Sequence, residues 1–382
     1  MVSKDIRYIG VNDHDIDLFE GQYFVPSGMS YNSYLILDEK IAVMDTVDAS
    51  KGKEFMANLE RELGDRTPDY LVVQHMEPDH AANIQTLVER YPQVRIVASA
   101  KALQMMPLYF DLDLSHAISV KEGDVLNLGH HKLNFVMAPM VHWPEVMFSY
   151  ESTEKVLFSA DGFGKFGALD VDEPWDDEAR RYYFNIVGKY GPQVQAVLKK
   201  AAGLEIETIC PLHGPILSED LGHYIGLYQT WSSYSVESEG VFIAYASIHG
   251  NTAEAAHKIK ELLEAQNCPH VTMMDLTRDD MSAALEHAFR YGKMILCASS
   301  YNANVMPAME DFLHHLQGKN YQNRTVALVE NSSWAPSANR TMTALLESMK
   351  NVTVLPETVT IRGKRKDSDL PALEAMVQAI LN

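Results

Sequence analysis

The sequence predicts an α/β chain of two domains, and three features support this. The chain has 382 residues, of which 46% are hydrophobic, enough for two separate cores. Strand-like and helical stretches alternate over about the last 140 residues, which is typical of a doubly wound parallel sheet. In the first part, short apolar runs end instead at histidines and carboxylates, which indicates strands that present ligand-type side chains at their ends.

A polar segment separates the two parts. Residues 232–240 read Ser-Ser-Tyr-Ser-Val-Glu-Ser-Glu-Gly, a linker composition, and follow a helical-looking stretch near Tyr224 to Trp231. We therefore expect the first domain to span residues 1–238 and the second to span residues 239–382.

In the first domain, each strand-like run leads to a possible metal ligand. The run Tyr70 to Gln74 is followed directly by His75-Met76-Glu77-Pro78-Asp79-His80. The other runs are Leu133 to Met137 before His142, Val156 to Phe158 before Asp161, and Ile206 to Ile209 before His213. A single histidine is usually solvated or hydrogen-bonded, and we interpret His130, His131, His314 and His315 in that way. Four strand ends that agree in residue type are harder to attribute to chance.

These residue types predict a dinuclear metal site. Imidazole and carboxylate ligands without thiolates suit zinc, iron and similar ions, and Asp161 is a natural carboxylate bridge between two of them. The spacing of residues 75, 77 and 79 predicts an extended loop with ligands on alternate sides, in which Asp79 and His80 face one metal. The expected metal ligands are His75, Glu77, Asp79, His80, His142, Asp161 and His213.

Charge and composition limit the possible partners. The net charge is −20: residues up to Ser238 contain 36 acidic and 19 basic residues (−17), and the remainder contain 16 and 13 (−3). Such a field repels polyanions, so neither nucleic acid nor a membrane surface is an expected partner. No run of eighteen apolar residues and no signal-peptide core is present, so we expect a cytoplasmic protein. The three cysteines are widely spaced and suggest neither disulfides nor a thiolate site.

The second domain begins with the strand-like run Val241 to Ala246, a polar loop and a helical pattern through Leu263. Hydroxyls, a glycine and the N-terminus of a helix favour a phosphate-binding loop, although an ordinary capped turn fits equally well. The residues expected to contact the phosphate are Ser247, His249, Gly250, Asn251 and Thr252.

Further strand-like runs alternate with helices and complete the sheet. The strands are expected at Met294 to Ala298, Thr325 to Val329 and Val352 to Leu355, and the helices near Ala283 to Tyr291, Pro307 to Leu316, Ala338 to Met349 and Leu370 to Leu381. Ligands of such sheets bind beyond the carboxyl ends of the strands. Polar groups and an aromatic there could hold an isoalloxazine ring: Ser300, Tyr301, Asn302, Ala303, Asn304, Asn331, Ser332, Ser333 and Trp334.

The ligand order H-x-E-x-D-H, then His, Asp and His, resembles the metallo-β-lactamase fold, an αββα sandwich with a dinuclear site. Hydrolytic members usually have H-x-H-x-D-H and bind zinc. Glu77 stands in place of the second histidine, which is characteristic of flavodiiron proteins, the A-type flavoprotein family. A carboxylate there favours iron over zinc. The second domain is similar to the flavodoxin fold with FMN, so the resemblance covers nearly the whole chain, as the minimal two-domain form.

The resemblance implies an oxidoreductase with two irons and FMN that reduces O₂ to water, nitric oxide to nitrous oxide, or both. It also implies a homodimer or homotetramer built from head-to-tail dimers, in which FMN of one subunit faces the di-iron site of the other. Rubredoxin or a rubredoxin-type reductase is the implied electron donor. Tyr182 or Tyr183 is a candidate hydrogen-bond donor to the bound gas, although helix packing is expected for at least one of them. Trp334 either lies at the flavin junction or belongs to the core.

Two alternatives remain open. The first is a zinc-dependent hydrolase of the metallo-β-lactamase superfamily with a flavodoxin-like appendage, against which Glu77 argues. The second is an electron carrier or binding protein whose metal site is only structural. Metal analysis and gas consumption by reduced protein separate these two from the oxidoreductase.

Overall fold

A computed structural model describes residues 2–382, which form two compact units, one ending at Ser232 and the other spanning Ser233–Asn382. The division falls inside the polar segment. Our boundary at residue 239 remains a prediction about the domains themselves. No helix among the described residues is long and apolar enough to cross a membrane.

The first unit contains fifteen strands and seven α-helices. The strands are β1 Ile6–Tyr8, β2 Val11–Asp13, β3 Leu18–Phe19, β4 Tyr23–Phe24, β5 Met29–Tyr31, β6 Tyr34–Ile36, β7 Ala42–Met44, β8 Tyr70–Val73, β9 Arg95–Ser99, β10 Ile118–Val120, β11 Val125–Asn127, β12 Lys132–Met137, β13 Met147–Glu151, β14 Val156–Phe158 and β15 Thr208–Cys210. The helices are α1 Gly52–Leu63, α2 Pro78–Ala81, α3 Ile84–Arg90, α4 Ala100–Met105, α5 Trp175–Tyr182, α6 Gly191–Ala201 and α7 Leu221–Ser232.

Two sheets pack face to face in this unit. Strands β1-β6-β7-β8-β9-β10 form one sheet and β11-β12-β13-β14-β15 form the other. Strand β12 illustrates the packing: Leu133 and Phe135 are buried between the sheets, as the period of two in a strand requires. Helix α4 packs on β9 and β10, and α6 packs on β12. Helices therefore cover the outer surfaces of a β-sandwich, as the predicted αββα fold requires.

The loop after β8 differs from our expectation. The backbone is extended only as far as Glu77, and helix α2 begins at Pro78. Proline suits the first helical position because its fixed φ is helical and its missing N–H would have no partner there. The prediction of an extended loop through Asp79 is therefore wrong. The short helix turns Asp79 and His80 away from the direction of His75 and Glu77.

The second unit contains seven strands and five helices. The strands are β16 Ser238–Ala246, β17 Val271–Asp275, β18 Tyr291–Tyr301, β19 Asn304–Val305, β20 Arg324–Asn331, β21 Val352–Val354 and β22 Val359–Ile361. The helices are α8 Asn251–Ala265, α9 Met281–Arg290, α10 Pro307–Gly318, α11 Ala338–Glu347 and α12 Leu370–Leu381.

Its sheet is parallel, in the order β17-β16-β18-β20-β21, with β22 also parallel to β20. Helices lie on both faces, because alternate residues of β16 face opposite sides. Ile243 packs with Ile259 of α8 and Val377 of α12, whereas Phe242 contacts Phe312 of α10. This is the doubly wound arrangement expected from the sequence. Short strand β19 pairs antiparallel with the end of β18.

Candidate functional site

The first unit brings the seven expected metal ligands together in two groups. Within each group, one ligand atom of every residue lies within 4.8 Å of those of the others. The first group is His75, Glu77, His142 and Asp161, and the second is Asp79, His80 and His213. Both groups stand beyond the carboxyl ends of β8, β14 and β15 and in the loop after β12.

Side-chain atoms of the first group converge on one point. Glu77 Oε2 lies 3.2 Å from His75 Nε2 and 2.9 Å from His142 Nε2. Oδ2 of Asp161 lies 3.1 Å from His75 Nε2. Two imidazole nitrogens and two carboxylates at these separations can coordinate a single ion.

The second group converges in the same way. The Nε2 atoms of His80 and His213 are 3.0 Å apart, and each is 3.2 Å from Asp79 Oδ2. Adjacent residues Asp79 and His80 thus face the same group, as expected from the sequence, although they do so from a helix. Two imidazole nitrogens and a carboxylate oxygen at one point again form a set of metal ligands.

Asp161 lies between the two groups. Its Oδ2 faces His75, while its Oδ1 is 3.4 Å from His80 Nε2 and 3.7 Å from His213 Nε2. The two oxygens of one carboxylate can therefore bind two ions, the bridging role expected from the sequence.

Buried polar atoms without partners support the presence of metal. Both carboxylate oxygens of Asp79 and Oδ2 of Asp161 are buried and have no hydrogen-bond partner within residues 2–382. An unsatisfied buried acceptor costs about 1 to 3 kcal/mol, and more if it is charged. Cations at the two groups would remove this cost. The residues therefore fit a pair of metal ions.

Contacts outside the two groups orient the ligand rings. His75 Nδ1 lies 2.7 Å from Oε1 of the buried Glu145, and that oxygen also accepts the Met76 N–H at 2.9 Å. His213 Nδ1 lies 2.7 Å from the Ser30 carbonyl. Such contacts fix the tautomer that leaves Nε2 free to bind metal. Sequence analysis missed Glu145, because nothing in the sequence distinguishes it from other glutamates.

The surroundings of the site shift the pKa values of its carboxyl groups in opposite directions. Burial acts to raise the pKa of Glu77, but hydrogen bonds with His142 and His75 outweigh it and hold the pKa well below its usual range. Burial raises the pKa of Asp79 to about 7, and the repulsion from Glu77 and Asp161 adds to this effect. Burial lowers the pKa of His213. Bringing these carboxylates together is therefore costly without a compensating positive charge.

The two tyrosines have different surroundings. The Tyr182 hydroxyl donates to Asp161 Oδ1 at 3.1 Å, so this residue lies beside the metal ligands. The ring of Tyr183 packs against Tyr228 and Trp231, with centroid separations of 5.1 and 5.4 Å. Tyr183 thus has the packing role that we expected for at least one of the pair.

A cavity of about 390 Å³ in the second unit lies beyond the carboxyl ends of its strands. It is lined by most of the residues expected to hold a flavin: Ser247, His249, Asn251, Thr252, Ser300, Tyr301, Asn302, Ala303, Asn331, Ser332, Ser333 and Trp334. Trp334 is 86% exposed, so the alternative that placed it in the core is wrong. The N-terminus of α8 opens into this loop and favours an anion.

Two residues that we expected to contact the flavin, Gly250 and Asn304, do not line the cavity. Gly250 has a φ of +86° and donates its N–H to Ser247 Oγ at 3.1 Å, so it shapes the loop before α8. Asn304 binds Glu310 through its side-chain amide. The lining also includes Ile248, Ser299, Ala335 and Gly363, which were not predicted. Gly363 follows β22, whose alternating sequence Val-Thr-Ile signals a strand that we did not identify.

Comparisons with known proteins agree with both units. Residues 29–214 match the model of the ODP family beta lactamase. A nitric oxide reductase of Moorella thermoacetica is 29% identical over 380 residues, which cover 97% of this chain and 94% of that protein. The rubredoxin oxygen:oxidoreductase of Desulfovibrio gigas has a TM-score of 0.92 and 27% identity, with 100% of this chain and 97% of that one covered.

A third similarity concerns the fold. The flavodiiron protein of Giardia intestinalis has a TM-score of 0.91 at 24% identity and covers 98% of this chain and 94% of its own. Similarity to such proteins extends over both units, and the first unit carries the ligand set with Glu77. The chain is therefore similar to flavodiiron proteins along almost its whole length, and it is an oxidoreductase.

Proposed function

We propose that this oxidoreductase reduces O₂ to water, nitric oxide to nitrous oxide, or both, at a di-iron site that receives electrons from FMN. Its cofactors are two iron ions and FMN. The observation that carries the proposal is the position of Glu77, whose carboxylate lies within 3.2 Å of two imidazole nitrogens. In the zinc hydrolases that the fold resembles, a neutral imidazole stands there.

The charge of the ligands favours iron that changes its oxidation state. Glu77 and Asp161 face the first metal position, and Asp79 and Asp161 face the second. Anionic oxygen ligands stabilise a higher metal charge more than neutral imidazole does, so the site suits the oxidised pair of ions as well as the reduced pair. Iron would supply one-electron chemistry and open coordination positions for a diatomic gas, and FMN would supply electrons one at a time.

Chain residues provide the positioning and a hydrogen-bond donor. Glu145 and the Ser30 carbonyl orient His75 and His213. Burial and the negative charge of Asp161 raise the pKa of the Tyr182 hydroxyl well above its ordinary value, so this group stays protonated beside the bridging carboxylate. It can therefore donate a hydrogen bond toward the space between the two groups.

The loops of the second unit suit FMN. Ser247, Asn251 and Thr252 surround the start of α8, where the helix dipole would favour the phosphate. Tyr301 and Trp334 are exposed aromatic side chains at the same cavity and suit the flat ring system.

The partners in this proposal follow from the family. Rubredoxin or a rubredoxin-type reductase would supply electrons in the cytoplasm. A homodimer or homotetramer of head-to-tail dimers would place FMN of one subunit opposite the di-iron site of the next. Size-exclusion chromatography with light scattering tests the second point, since a monomer with full turnover would contradict it.

Anaerobic turnover with each gas tests the function. Protein reduced with dithionite or coupled to rubredoxin should consume O₂, nitric oxide or both. Glu77→Ala and His142→Ala should lose iron and both activities and retain FMN, because both side chains belong to the first ligand group and neither lines the cavity of the second unit. His116→Ala, an exposed histidine, is the matched control.

Three results would contradict the proposal. Retained turnover in both ligand variants would place the chemistry elsewhere. A wild-type protein that binds zinc, lacks a yellow colour and consumes neither gas would establish the hydrolase, and one that retains iron and flavin without turnover would establish an electron carrier.

A further inference from the structure

A third group of ligand-type side chains lies away from the di-metal site. Asp5, His131 and Glu154 offer one ligand atom each within 4.8 Å of one another. His131 is only 1% exposed, although we interpreted it from the sequence as a solvated or hydrogen-bonded residue. Asp5 and Glu154 are half-buried, so the group can be reached from solvent.

The imidazole of His131 has an unpaired nitrogen that faces Asp5. Its Nε2 is buried without a hydrogen-bond partner among residues 2–382 and lies 3.8 Å from Asp5 Oδ2. That separation is too long for a direct hydrogen bond and leaves space for an ion between the two atoms. A buried polar atom of this kind requires an explanation.

The other side of the ring faces a buried carboxylate. His131 Nδ1 lies 3.2 Å from Oε1 of Glu151, which is fully buried. Glu151 is itself held by the backbone N–H groups of Thr153 and Glu154, at 2.8 and 2.7 Å. A histidine flanked by a fixed carboxylate on one side and open to ligands on the other is the arrangement found around metal-binding histidines.

We propose that Asp5, His131 and Glu154 bind one divalent ion of the zinc class. One imidazole nitrogen and two carboxylate oxygens, with water completing the coordination, form a common ligand set for such ions. The site is separate from the di-metal site. Strand β12 begins directly after His131 and leads toward His142, and β14 begins after Glu154 and leads toward Asp161. The two sites thus lie at opposite ends of the same strands, about 20 Å apart along β12.

An ion at this position would join the two sheets. Asp5 directly precedes β1 at one edge of the first sheet, whereas His131 and Glu154 precede strands of the second sheet. An ion that binds the folded but not the unfolded chain raises stability by RT ln(1 + [L]/Kd). We therefore assign the site a structural role and no part in the redox reaction.

Zinc titration of the iron- and FMN-loaded protein tests the proposal. Calorimetry at about pH 8, where fewer protons compete with the metal for the imidazole than at pH 7, should detect one bound Zn²⁺ per chain without iron release. His131→Gln should abolish this binding, and Asp5→Asn and Glu154→Gln should each weaken it about tenfold or more. His130→Gln, which changes the exposed neighbour, is the matched control and should bind as the wild type does.

Thermal unfolding provides the second measurement. Zinc should raise the Tm of the wild type and of His130→Gln, and should leave that of His131→Gln unchanged. If His131→Gln does not fold, the two carboxylate variants decide the matter. Equal zinc binding by all variants, or none by the wild type, would overturn the proposal.

Discussion

Glu145 provides the sharpest test of how the di-metal site is built, because it contacts a ligand and no metal position. Its Oε1 lies 2.7 Å from His75 Nδ1, and neither side chain is exposed to solvent. Glu145→Gln preserves the shape and removes the charge. Burial acts to raise the pKa of Glu145, but the contact with His75 outweighs it and keeps the pKa below its usual range, so the group is anionic at neutral pH.

Glu145→Gln is expected to lower the affinity of the protein for one of the two irons. Loss of a carboxylate that orients a metal-binding histidine costs about 10- to 100-fold in metal affinity, or about 1.4 to 2.7 kcal/mol. His75 belongs to the first group, and Oε1 of Glu145 contacts His75 Nδ1 and the Met76 N–H. We therefore expect the iron at His75, Glu77 and His142 to leave first.

A chelator titration measures this directly. Iron release from Glu145→Gln should occur in two steps, with one iron per chain released at about 10- to 100-fold lower chelator concentration than in the wild type. FMN absorbance should remain constant, and Glu89→Gln on the exposed side of α3 is the matched control. Release of both irons together, or release indistinguishable from the wild type, would refute the reasoning.

Three further predictions follow from single contacts. Tyr182→Phe should keep its iron and slow turnover by about tenfold, because it loses a hydrogen bond to Asp161. Tyr183→Phe should turn over at the wild-type rate, and equal rates for the two variants in a gas-electrode assay would contradict this prediction. Trp334→Ala should weaken FMN binding about fivefold in a fluorescence-quenching titration of flavin-free protein, through loss of an aromatic contact, and an unchanged Kd would exclude that contact. Burial raises the pKa of Glu151, but the contact with His131 and two backbone N–H groups outweigh it and lower the pKa from 4.5 to about 2. The stability that Glu151 contributes is thus present above pH 4.5 and lost as the pH falls toward about 2. Urea unfolding in EDTA should therefore show that the difference in free energy of unfolding between the wild type and Glu151→Gln becomes smaller over that range.

The clustering of the seven expected ligands could be predicted because their signal is local. Each follows a short apolar run, and residue type and order along the chain suffice to identify them. His75, His142 and His213 needed no knowledge of strand pairing for this purpose. The order of the strands within each sheet and the packing of the sandwich came only from the structure.

Other parts of the site depend on distant contacts and could not be predicted. Glu145 is 70 residues from the histidine that it orients. His131 acquires its surroundings from Asp5 and from a turn more than twenty residues further along the chain. By contrast, helix α2 had a local signal in Pro78, which we did not use, since proline at the first helical position marks such a start.

The rings of the di-metal site are not held equally firmly. His75 and His213 are each anchored at Nδ1, whereas Nδ1 of His80 is buried with no hydrogen-bond partner in the described chain. Rotation of the His80 ring away from the site would break its bond to a metal but no hydrogen bond at Nδ1. Among these three histidines, His80 would therefore be the ligand that leaves most easily, and its departure would open a position on the second metal for water or a gas molecule.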